Sequence, residues 1–100
     1  MEHLFLLLLG IALSAIGVMN IRGNINTVHA YNRRKVKPED IPLYGKTIGA
    51  GTLIIGVALL LAFVITLLKE SLAPYVVTPG LVIGLAIILY GQFKYNRGIF

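Results

Sequence analysis

Thr47-Ile48-Gly49-Ala50-Gly51-Thr52-Leu53-Ile54-Ile55-Gly56-Val57-Ala58-Leu59-Leu60-Leu61-Ala62-Phe63-Val64-Ile65-Thr66-Leu67-Leu68 contains no charged residue. A helix rises about 1.5 Å per residue, so a run of this length covers about 33 Å, the thickness of a bilayer's hydrocarbon core. Two further runs, Leu4 to Ile21 and Leu72 to Phe93, are equally free of charge. The sequence is 57% hydrophobic and 13% charged over 100 residues. A soluble domain this small has too much surface for its volume to hide that much apolar matter. The expectation is an all-α polytopic membrane protein, one domain over residues 1–100. Its spans are near 4–21, 47–68 and 72–93, and a basic hairpin covers 22–46.

The basic residues set an orientation. Arg22, Arg33, Arg34, Lys35, Lys37 and Lys46 lie between the first two spans, Lys69 lies between the second and third, and Lys94 and Arg97 follow the last. Lys and Arg collect on the cytoplasmic side. The N-terminus is therefore expected outside, and the first loop and the C-terminus inside. Met1-Glu2-His3 lacks the basic lead of a signal peptide, so the first run reads as a retained span. The net charge of +5 is accounted for by topology, and no nucleic-acid partner is expected.

Helix limits follow from local chemistry. Ile21, Ile25 and Val28 continue a helical stripe beyond Arg22, which predicts that helix one runs on to Tyr31 or Asn32. Asp40 suits an N-cap for helix two, with Pro42 in its first turn. Thr78-Pro79 reads as the cap and first residue of helix three, which leaves Leu72–Val77 irregular. A single helix from Ser71 with Pro79 inside it is the alternative. Tyr31, Tyr44, Tyr90, Phe93 and Tyr95 at one boundary, and Tyr75 at the other, form an aromatic belt.

The glycines are regularly placed. Gly45, Gly49 and Gly56 have the same offsets as Gly80, Gly84 and Gly91, and helix one carries Gly10, Ser14 and Gly17 on one side. At 100° per residue the sets of helices two and three each occupy an arc of roughly 40°. Such a face lets two backbones approach closely, within one protomer or between protomers. Ala58 and Ala62 add a second small-residue pair. Three short helices enclose no pore, so transport would need an oligomer.

The three spans contain no ionisable residue, which argues against proton-coupled transport. With no cysteine in the chain, thiolate chemistry is excluded. His3 and His29 are expected on opposite sides of the membrane, where they share no metal. No catalytic, cofactor-binding or metal site is expected. Arg33, Arg34, Lys35 and Lys37 form the distinctive surface. They are candidates for contact with anionic lipid headgroups, each worth about 1 kcal/mol, or with a partner protein.

The segment Asn26-Thr27, Tyr31-Asn32, Lys37-Pro38-Glu39-Asp40, Tyr44-Gly45-Lys46 and Gly49-Ala50-Gly51-Thr52 resembles the first cytoplasmic hairpin of small uncharacterised three-span membrane proteins of Gram-positive bacteria. The resemblance covers about a third of the chain. It implies a bacterial plasma membrane and supplies no activity. A weaker likeness is to membrane proteins that confer immunity to secreted peptide toxins, though no residue set maps onto them. The expected function is a non-enzymatic integral membrane protein acting through glycine-mediated helix packing, as a homo-oligomer or accessory subunit. The alternatives are a channel or transporter whose pathway forms between protomers, and an immunity-type protein.

Overall fold

A computed structural model describes residues 3–28 and 30–99, with Tyr31 described by its backbone alone. His29 and the side chain of Tyr31 lie outside the described residues, so the readings placed on them find no counterpart here. Three helices make the fold: α1 (Leu4–Ile21), α2 (Ile41–Lys69) and α3 (Pro74–Tyr95). Among the described residues there is no strand, and all three helices are long and apolar enough to cross a membrane.

α2 stands between α1 and α3 and packs antiparallel to both. Its small residues explain this. Gly45, Gly49 and Gly56 meet α1, whereas Thr47, Gly51 and Ala58 meet α3. At 100° per residue the two sets point roughly 160° apart, so the neighbours of α2 fall on separate sides of it. α1 and α3 make little contact with each other. The remaining arc of α2 is open and apolar, with Val57, Leu61 and Val64 exposed.

α1 ends at Ile21, about ten residues short of the predicted limit. Gly23 adopts φ +101°, the Gly23 N–H returns to Asn20 O at 3.0 Å, and the Asn24 N–H returns to Met19 O at 3.0 Å. This paired closure is a Schellman motif, which satisfies the last carbonyls and turns the chain away. Ile25 and Val28, read as a continuing helical stripe, instead fold back with Val36 onto Tyr44 and Ile48 of α2.

α2 begins at Ile41 after a 3-10 turn over Pro38–Asp40, closed by the Asp40 N–H on Lys37 O at 2.9 Å. The Asp40 side chain makes no capping bond, contrary to its expected role. The connection from α2 to α3 is one 3-10 turn, Glu70–Leu72. α3 then starts at Pro74, so Thr78-Pro79 is not its beginning and Pro79 lies inside the helix. Proline is pre-organised for the first helical position, and Pro74 takes it. Pro79 then forgoes one backbone bond, to the carbonyl of Tyr75 four residues earlier.

Candidate functional site

The end of the molecule that carries the 22–40 loop is closed by a buried polar network. Asn20 and Asn96 are 1% and 0% exposed, Gln92 is 6%, and Tyr44 is 0%. The Tyr44 hydroxyl donates to Gln92 Oε1. Gln92 Nε2 donates to Asn32 O at 2.8 Å and also approaches the carbonyls of Gly98 and Ile99. Asn96 Oδ1 accepts from the Lys35 N–H at 2.8 Å, and its Nδ2 donates to Gly98 O at 2.8 Å. Asn32 Nδ2 reaches Ile99 O at 2.7 Å. Nearer α1, Asn20 Nδ2 donates to Asn24 O and Thr27 Oγ1, both at 2.9 Å. Side-chain amides thus satisfy backbone groups from the loop and from the residues after α3, and tie both to the helices.

Such a network fixes a shape. An amide neither gains nor loses a proton at ordinary pH, and no carboxylate or imidazole joins the hydrogen bonds described above. Among the described residues no group of His, Cys, Asp or Glu is arranged to hold a metal ion. The network places Tyr44 in the core, which corrects its assignment to the aromatic belt. Tyr75, Tyr90 and Phe93 do face outward, at 77%, 55% and 59% exposure. Asn96 and Asn32 escaped the sequence reading, because asparagines near a basic turn look like ordinary solvated loop residues.

The structure places Gly10, Gly17, Gly45, Gly49, Gly56, Gly80, Gly84 and Gly91 at contacts between the helices of one protomer. A Cβ on Gly45 would lie 2.5 Å from Asn20 O, and one on Gly49 would lie 2.5 Å from Gly17 O. Gly80, Gly84 and Gly91 do not meet the Gly45, Gly49 and Gly56 face. They oppose Ala58, Gly51 with Ile55, and Thr47 with Ile48. Gly51, absent from the expected stripe, would bring a Cβ to 2.6 Å from Gly84 O. Its spacing of seven to Ala58 and eleven to Ala62 was the available signal.

Ser14 lies against Gly56, and its Oγ is buried without a hydrogen-bond partner. A buried hydroxyl with no partner costs stability. Ser14→Ala should therefore be neutral or stabilising, read as an unchanged or higher thermal midpoint in detergent. A clear loss would show that the hydroxyl makes a bond in the folded protein.

Of the basic-loop residues, Arg33 turns inward and its Nε donates to Val28 O at 3.0 Å. Arg34, Lys35 and Lys37 are exposed. Lys94 Nζ donates to the Tyr90 hydroxyl at 3.0 Å and lies 5.4 Å and 5.6 Å from the ring centres of Tyr90 and Tyr95. At the opposite end, His3 Nε2 lies 3.2 Å from Glu70 Oε1, joining the start of α1 to the second connection.

An apolar groove of about 380 Å³ runs along α2 and the start of α3, lined by Leu53, Ile54, Val57, Ala58, Leu61 and Val76. A second hollow, of about 320 Å³, is lined by Pro74, Tyr75, Thr78 and Pro79. No protein family, curated protein or solved structure matches the chain.

Proposed function

We propose that this is a non-enzymatic three-span protein of a bacterial plasma membrane, with its N-terminus outside and the basic loop inside. It acts by lateral contact, as a homo-oligomer or as an accessory subunit of a membrane partner. One observation carries the lateral reading: the glycine faces are occupied inside the protomer, while α1 keeps an ordered outer face. Leu4, Leu8, Ile11, Ala15 and Val18 are all exposed, and they follow the alternating spacing of four and three residues that lets one helix seat along another. The closed polar network supports a structural role for the cytoplasmic end, because its members are committed to holding the loop. The exposed Arg34, Lys35 and Lys37 suit contact with anionic headgroups.

The chain has no cysteine, so a single Ala15→Cys substitution gives a clean crosslinking test in native membranes. A disulfide-linked dimer identifies a homo-oligomer, and a crosslink to another protein identifies an accessory subunit. Crosslinking at Ala15 should exceed that at Leu67→Cys, on an exposed position of α2. Equal, background-level crosslinking at both sites would contradict lateral contact through α1. Ion or solute flux through liposomes holding the pure protein would favour a pathway between protomers.

A further inference from the structure

The apolar groove on α2 and α3 shares its face with two lysines, one from each helix. On α2, Lys46, Leu53, Val57 and Leu61 fall within an arc of roughly 80° at 100° per residue. On α3, Lys94 lies eighteen residues after Val76, which is five full turns, so the two project from the same side. Gly91 meets Thr47 and Gly80 meets Ala58. That antiparallel register sets Lys94 within about a turn of the level of Lys46, and puts Val76 near the deep end of the groove. The handedness of the helices carries both lysines to the open side of the α2–α3 pair. Both are exposed. The Lys94 ammonium is also positioned, held by the Tyr90 hydroxyl beside two aromatic rings.

We infer that this groove is a binding site for an anionic phospholipid, with the headgroup phosphate between Lys46 and Lys94 and an acyl chain along Leu53, Val57 and Leu61. The inference rests on the membrane reading above. Charge complementarity selects the occupant: a cationic pair at one end of the face and an apolar groove further along it match a molecule with an anionic head and a hydrocarbon tail. The depth agrees. Leu53 and Val57 lie about 10 and 16 Å along the helix from Lys46, and half of a hydrocarbon core is about 15 Å. A zwitterionic lipid fills the groove equally well but adds no net charge to the lysine pair. The arc of α2 is distinct from the outer face of α1, so lipid and lateral partner do not compete.

The chain has no tryptophan, so Val57→Trp supplies a single fluorescent reporter in the groove. Leu8→Trp on the outer face of α1 is the reference. Each is reconstituted in phosphatidylcholine vesicles containing a minor fraction of either phosphatidylglycerol or phosphatidylcholine brominated on its acyl chains. Bromine quenches tryptophan only on contact. At Val57 the brominated phosphatidylglycerol should be preferred by about five-fold or more, equivalent to about 1 kcal/mol in all, and at Leu8 it should not. Lys46→Gln with Lys94→Gln should abolish the preference, while Lys35→Gln with Lys37→Gln, an equal loss of charge, should leave it. Equal quenching by the two lipids at Val57 would overturn the site while leaving the membrane reading intact. Loss of preference in the Lys35 and Lys37 variant would also overturn it, by showing a diffuse surface effect. Absence of quenching by either lipid at both positions would overturn the membrane reading and the site together.

Discussion

Gly49→Leu should abolish the α1–α2 packing, seen as loss of a monodisperse folded species in mild detergent. A Cβ at this position would meet Gly17 O at 2.5 Å, Ile21 Cγ1 at 2.7 Å and Ile21 N at 2.8 Å. Two of those atoms are backbone, so no rotamer change relieves the clash and the helices must separate. In lipid, helices associate largely through such close contact, and spreading the seam forfeits it along its length. Even Gly49→Ala should cost about 1–3 kcal/mol, the usual range for overpacking a tight contact. Gly23→Ala gives an informative contrast. No atom lies within 4 Å of a Cβ there, but φ is +101°, so only backbone strain is incurred, about 1–2 kcal/mol. Leu60→Ala should be milder than Gly49→Leu, because it leaves both backbones in place. A Gly49→Leu protein with a wild-type thermal midpoint would show that the seam is not held by close approach.

Gln92→Leu should loosen the closed end of the molecule as a unit. Gln92 connects the Tyr44 hydroxyl to Asn32 O and approaches the carbonyls of Gly98 and Ile99. Leucine fills similar volume but leaves those groups unpaired, and each one that stays buried costs about 1–3 kcal/mol. Amide exchange should rise around Lys35, whose N–H is held by Asn96, the residue that follows α3 one turn beyond Gln92. Tyr44→Phe should cost less, since only Gln92 Oε1 loses a partner. The double variant should be less destabilised than the two single effects added together, because both remove the same bond. Strict additivity would mean that the two side chains act independently.

The three helices were legible because apolar length is a coarse property that survives any packing arrangement. Their ends were not, because each depended on a contest between local signals. At Gly23 the stripe of Ile21, Ile25 and Val28 favoured continuation, yet glycine's access to positive φ let the chain turn and bury those side chains on α2 instead. At Thr78-Pro79 a good capping pair lost to Pro74, which takes the first helical position one turn earlier. The glycine positions were legible, but which face of α2 each set meets was not. Equal spacing gave α2 and α3 one glycine face each without saying what it meets, and α3 packs on the side that Gly51 and Ala58 open. The buried network was the least visible. Tyr44, Asn32, Gln92 and Asn96 are separated by up to 64 residues in the chain. A tyrosine or an asparagine at a membrane boundary is ordinarily solvated, and it is the folding of Ile25, Val28 and Val36 over α2 that packs apolar side chains around Tyr44. The lysine pair was obscured in the same way, since Lys46 and Lys94 join one face only once the register of α2 against α3 is known.

The most direct measurement is cysteine accessibility in intact cells, with single cysteines introduced at Ser71 in the second connection and at Lys37 in the basic loop. Both positions are exposed, and the native chain offers no competing thiol. Spans that place the basic loop inside predict that a membrane-impermeant maleimide labels Ser71→Cys from outside and reaches Lys37→Cys only after permeabilisation. Labelling of Lys37→Cys in intact cells with Ser71→Cys protected would reverse the orientation, and equal labelling of both without permeabilisation would contradict a protein that crosses the membrane.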